Sequence, residues 1–177
     1  MGWLYGWNSK QELVKHLEDL EENANYTIVK STTIGNHWWA VIEGKPGSSL
    51  EGERLAVLCL LGSHDREWGY KDMDETMGPY YYDCPISYLS MLTEPRNDSA
   101  RAWREQVKKY NDDKAKAKTL KSLLKEGSTV VVYGNEYKLT RYLARKGWEA
   151  CRVSDGMLFR ITARQINQGI MAMLNAA

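Results

Sequence analysis

The stretch GYKDMDETMGP, residues 69 to 79, places Asp72, Asp74 and Glu75 within four positions. On an extended strand Asp72 and Asp74 share a face, roughly 6–7 Å apart by the strand rise. His64, Asp65 and Glu67 lie a few residues upstream. Carboxylates so placed could hold Mg²⁺ or Mn²⁺ for phosphoryl chemistry, which would make the chain a metal-dependent hydrolase or nuclease. One nuclease pattern sets an acidic residue two positions before a strand lysine. It fails here, because Gly69 stands two before Lys71. Asp74 and Glu75 can instead open a helical turn, where negative charge is favoured. Exposed carboxylates can also imitate phosphates and occupy the basic groove of a partner protein.

Cys84 precedes Pro85 at an expected helix start, a position that can lower a thiol pKa and create a nucleophile. His16, His37 and His64 are the imidazoles that could serve it. A buried thiol is the plainer expectation. Cys59, His64 and Cys84 contain no close ligand pair to seed a zinc site. No phosphate-cradling glycine motif, serine elbow or dinucleotide fingerprint occurs.

Basic residues offer different chemistry. Lys108, Lys109, Lys114, Lys116 and Lys118 lie on one expected helix, and Lys138, Arg141, Arg145 and Lys146 on the β-rich segment after it. Together they could neutralise phosphates. Tyr137, Tyr142 and Trp148 are interleaved with them and could stack on bases. The alternative is a solvated helix that offsets acidic charge elsewhere. Residues 1–98 carry 8 Lys/Arg against 16 Asp/Glu, while 99–177 carry 16 against 7. Halves of opposite sign suggest separate surfaces for separate partners, or two docked parts.

The elements that must position these residues follow from periodicity. Ser9 with Glu12 has capping-box spacing, and Leu13, Leu17 and Leu20 continue a helix over about 10–22. Four strands follow: YTIVKSTT, HWWAVIE, RLAVLCLLG and REWGYKDM. Their hairpin-like links predict an antiparallel sheet with the first helix on one face. Ile28 and Lys30 are expected on the same side as Tyr26. Ile86, Leu89 and Leu92 mark a short helix. Asp98 or Ser99 caps a long one over about 100–125, whose stripe of Trp103, Val107 and Tyr110 should face the first domain. Four short strands and a helical tail complete the chain. The rhythm suits a small SH3-like module.

The fold class expected is therefore α+β. The parts are an acidic domain over 1–98, a basic connecting helix over 99–126 and a small β-barrel-like module with a helical tail over 127–177. A hydrophobic fraction of 43% supports real cores. Seven Trp and eleven Tyr against one Phe suit half-buried sheet faces and contact surfaces. Three scattered cysteines suggest a reducing compartment. The first residues do not read as a signal peptide, and no run reaches the ~18 apolar residues of a membrane span.

GYKDMDETMGP is followed closely by CP, a short helix, LTEP and ARAWR. With MGWL at the start and SDGMLFRIT in the β module, the chain resembles a family of small phage, plasmid and integrative-element proteins. That family has no assigned activity, so the resemblance carries over no catalytic residue. It implies a mobile-element setting in a bacterial cytoplasm and an accessory role in anti-defence or nucleic-acid maintenance.

These readings converge on a non-enzymatic accessory protein without a cofactor, binding a host protein or nucleic acid and no membrane. Asp72, Asp74 and Glu75 would meet a protein partner. Lys108, Lys109, Lys114, Lys116, Lys118, Lys138, Arg141, Arg145, Lys146 and Trp148 would meet nucleic acid. The rival enzyme would use Asp65, Asp72, Asp74, Glu75 and His64 with Mg or Mn. A homo-oligomer joined through the Met/Ile-rich tail is a third expectation.

Overall fold

The structure, a computed structural model, describes residues 2–20 and 25–176, with residues 145, 175 and 176 described by backbone alone. The protein is α+β, built as two compact units, Met1–Tyr110 and Asn111–Ala177.

Unit 1 is an antiparallel sheet of β1 (Leu4–Trp7), β2 (Tyr26–Ile34), β3 (His37–Gly44), β4 (Arg54–His64) and β5 (Glu67–Asp74), in the order β1-β5-β4-β3-β2. The central strands are apolar on both faces because both faces are covered. Trp38, Ala40, Ile42, Leu55 and Cys59 pack with Leu13 and Leu17 of α1 (Lys10–Asp19). Trp39, Val41, Ala56 and Leu58 pack with Tyr88 of α2 (Ile86–Leu89) and with Trp103 and Val107 of α3 (Asp98–Ser122). The first helix covers one face, as expected. The other is covered by residues that follow the sheet in the chain, among them Trp103 and Val107 of the stripe expected to face the first domain.

Ser9 caps α1, accepting a hydrogen bond from the Glu12 amide at 3.2 Å. The expected end of that helix, residues 21–24, lies outside the described residues. At the start of α3 the cap is Asn97, whose Oδ1 accepts from the Ala100 amide at 2.8 Å, rather than Asp98 or Ser99. Lys30 does not follow Tyr26 and Ile28. The β2–β3 register shifts between Ile28 and Lys30, and this bulge reverses the alternation. Tyr26 and Ile28 therefore pack on the α1 side, while the Lys30 ammonium lies 5.8 Å from the Tyr88 ring on the other.

Strand β1 was not evident in the sequence. It pairs with β5, and its register shifts between Tyr5 and Trp7. Gly62 and Gly69 oppose each other across β4 and β5. A Cβ on Gly69 would lie 2.2 Å from the Leu4 carbonyl oxygen, so only glycine lets β1 approach.

Unit 2 is an antiparallel meander of β6 (Thr129–Val132), β7 (Asn135–Tyr142), β8 (Trp148–Arg152) and β9 (Leu158–Ile161), in that order. Val130, Val132, Leu139, Ala150 and Ile161 pack with Ala117 of α3 and with Ile166 and Ile170 of α4 (Ala163–Ala176). The expected tail is thus part of the core, and its isoleucines are not free to join copies. In α4 a Cβ on Gly169 would meet the Val131 carbonyl oxygen at 2.0 Å, so helix and strand approach backbone to backbone.

The helix over 98–122 is no separate connector. Trp103 and Val107 belong to the core of unit 1, and Ala117 to that of unit 2. The charge sign changes near residue 98, but the unit boundary falls at 110/111. Apolar packing, rather than charge, decides where a unit ends. Divided there, unit 1 carries 12 Lys/Arg against 17 Asp/Glu and unit 2 carries 12 against 6.

Candidate functional site

The acidic motif is dispersed by its own backbone. Asp74 ends β5 and caps a 3-10 turn, Glu75–Met77, with Oδ1 accepting from the Thr76 amide at 2.8 Å. Glu75 lies on the α3 side of the sheet, with Arg104, and Asp72 on the α1 side. Glu75 is 1% exposed. It receives Arg104 Nε at 2.7 Å and Nη2 at 2.6 Å, and Arg104 Nη1 donates to the Thr93 carbonyl at 2.6 Å. A fork-on-carboxylate pair in which all three guanidinium nitrogens donate is a structural clasp holding the turn to α3. Asn97 Nδ2 donates to the Thr76 carbonyl beside it, at 3.0 Å. Glu75 thus cannot present itself to a partner, as the sequence had suggested.

The proposed metal constellation is also separated. His64 and Asp65 form an exposed pair, 3.1 Å apart, at the tip of the β4–β5 hairpin. Asp72 pairs in register with Cys59, five residues down the strand from the tip pair His64–Glu67. That is roughly 17 Å by the strand rise. Among the described residues no group of three or more His, Cys, Asp or Glu is arranged to hold a metal ion. The enzyme reading built on Asp65, Asp72, Asp74, Glu75 and His64 therefore loses its geometry.

Cys84 is fully buried, and burial, with Asp83 and Glu75 nearby, pushes its thiol up to about 12. This is opposite to the shift a nucleophile needs. Cys59 is also pushed up to about 12, by burial and by Asp72. His37 is held by Asp83, with Nδ1 2.8 Å from Oδ2.

The basic candidates divide between the units. Lys108 and Lys109 fall in unit 1, where Lys108 pairs with Glu105 at 2.7 Å. In unit 2, Lys114, Lys118, Lys138 and Lys146 are exposed, and Lys116 lies 3.7 Å from Asp113. Arg141 forms a two-pronged bond to Glu149, at 3.0 and 2.7 Å, which occupies much of its donor set. The Arg145 side chain lies outside the described residues. Tyr137 is a core residue, not a stacking platform.

What the structure does assemble is a groove of about 510 Å³ within unit 2. Tyr142 and Trp148 face each other across β7 and β8, with ring centres 5.0 Å apart and planes tilted by 56°. Both line the groove, together with Lys121 and Lys125 from the end of α3 and the turn after it, and Ile166 from α4. Tyr142 is 60% exposed. The connecting turn is set by backbone. Ala144 has φ 51°, and Gly147 has φ 99°, where a Cβ would lie 2.2 Å from the Ile161 carbonyl oxygen. Aromatic faces beside ammonium groups suit a ligand with flat rings and negative charge. Trp148 and Tyr142 were visible as candidates in sequence. Their meeting with Lys121 and Lys125 depends on register and helix placement.

No family model, curated protein or solved structure matches the chain. Among the described residues no helix is long and apolar enough to cross a membrane.

Proposed function

We propose that the protein is a non-enzymatic, macromolecule-binding accessory factor whose unit 2 binds single-stranded nucleic acid without sequence preference. The observation that carries this is the Tyr142–Trp148 ring pair opening on a groove flanked by Lys121 and Lys125. Stacking on aromatic side chains is tolerant of base identity, and lysines follow the phosphates. The excess of Lys/Arg in unit 2, 12 against 6, supplies the long-range attraction. In the mobile-element setting that the sequence resemblance implies, such a factor would cover the element's exposed strands or keep a host nucleic-acid-processing system from them.

Anisotropy of a labelled oligothymidylate tests the reading. Affinity should fall with salt, with a slope of about −0.7 per neutralised phosphate in log units. Tyr142→Ala should weaken binding by about 1–3 kcal/mol. Lys121→Glu with Lys125→Glu should flatten the salt slope. No binding at low salt, or affinity indifferent to Tyr142, overturns the reading.

A further inference from the structure

We propose that unit 1 holds a second site, a cavity under α1 that takes a small organic ammonium compound carrying a hydrogen-bond acceptor. The cavity measures about 210 Å³ and lies between α1 and the sheet. Its walls include Leu17, Ile42 and Val57, and three aromatic residues, Tyr26, Trp38 and Tyr70. Asp72 and Asp74 also line it.

Two features are unaccounted for by the fold itself. Asp72 is half-buried, yet no hydrogen bond or ion pair engages it among the described residues. A carboxylate partly removed from water without a partner is costly, and a cation relieves that cost. Trp38 is 3% exposed, and its indole Nε1 has no hydrogen-bond partner. A buried donor left unpaired likewise calls for an acceptor. Neighbouring titratable groups feel the same surroundings. Burial first, then the charge of Asp72, raises the Cys59 thiol. Tyr26 and Tyr70 are raised by burial and by the charges of Cys59 and Asp72.

The class of ligand follows from these walls. An ammonium would be drawn to Asp72 and Asp74, and the aromatic faces add cation–π attraction. Asp74 gives one oxygen to the Thr76 cap, so Asp72 is the main anchor. The size matters too. A water's share of liquid volume is about 30 Å³. The cavity therefore suits a compound no larger than about seven waters, not a nucleotide.

Thermal-shift and NMR titrations with ethanolammonium, propylammonium and ethylene glycol test the proposal. Ethanolammonium should bind saturably, on the order of millimolar given the ceiling on energy per atom, and shift the Tyr26 and Tyr70 ring signals. Propylammonium, which lacks the acceptor, should bind more weakly, and neutral ethylene glycol should not bind. Asp72→Asn should cost about tenfold or more in ammonium affinity, as loss of a charge-assisted bond does. Val57→Phe, which fills the cavity while keeping the carboxylate, should abolish binding in a folded chain. Three results overturn the proposal: no response of the native chain, a response that persists in Asp72→Asn, or equal binding of ethylene glycol. Stabilisation by Mg²⁺ in place of ammonium, lost in Asp72→Asn, also overturns it by giving the carboxylates to a metal.

Discussion

Unit 1 and unit 2 use charge in opposite ways. In unit 1 the most prominent acidic residue, Glu75, is buried in a forked pair with Arg104. In unit 2 the lysines around the Tyr142–Trp148 groove stand at the surface. Glu75, from the denser motif, is thus spent on architecture, while the looser set stays at the surface. Density of charged residues in a sequence is therefore a poor guide to a site. What matters is whether the backbone gives each charge an internal partner.

The sharpest way to break this contrast is at the clasp. Arg104→Met leaves Glu75 buried without its cation, which should cost about 3–5 kcal/mol. Urea unfolding should register the loss, and hydrogen exchange should place it in unit 1. Glu75→Leu added to Arg104→Met should restore much of it. A single variant as stable as the parent would mean that the pair is ornamental.

Next in size is the turn beneath the groove. Gly147→Ala forces a Cβ against the Ile161 carbonyl in a left-handed conformation. Overpacking of this kind costs about 1–3 kcal/mol. Exchange should quicken in unit 2 and stay unchanged in residues 1–110, and oligonucleotide affinity should fall with it.

Alkaline pH separates the units further. Cys59 and Cys84, both in unit 1, hold their protons up to about 12 against an ordinary value of 9.0. Below pH 9 the advantage of the buried neutral thiols is fully present. Between about 9 and 12 the unfolded chain ionises first, so stability should fall as pH rises. Denaturant midpoints measured across that range should drift down, and less so in Cys59→Ala. At pH 8 a thiol reagent should label the half-buried Cys151 of unit 2 well before either buried cysteine.

The smallest expected effect is Tyr142→Ala on stability. An exposed ring away from the core should change it by no more than about 0.5 kcal/mol. A larger loss would make the ring pair a structural staple and weaken the binding reading.

Much of the fold is legible in the sequence. The strands β2 to β5, α1, α3 and the four-strand rhythm of unit 2 all follow from alternation and spacing. Strand β1 is not, because Leu4, Tyr5 and Gly6 are exposed and no buried face imprints a pattern on them. The second cover of the larger sheet is legible only in part. The spacing of Trp103 and Val107 marks a stripe that does pack on the first unit's sheet, but which face it covers, and that Tyr88 joins it, follow from long-range packing that local periodicity does not encode. The site divides similarly. Carboxylates, lysines and aromatics could be nominated by type. The Glu75–Arg104 pair spans 29 positions, and nothing local announces it. The bulge at Val29 had the same effect on Lys30, since one extra residue reverses a strand's facing without changing its composition.

The two glycines that seat β1 have one more consequence. Gly62 and Gly69 leave a bare strip beside β5, and residues 3–7 lie along it. Without that short, kinked strand, β5 would offer an unpaired backbone row to any neighbouring molecule. Open rows of this kind recruit other chains and seed aggregates. The opening residues therefore act as a guard rail, and a chain shortened to begin at Asn8 should fold yet clump with time.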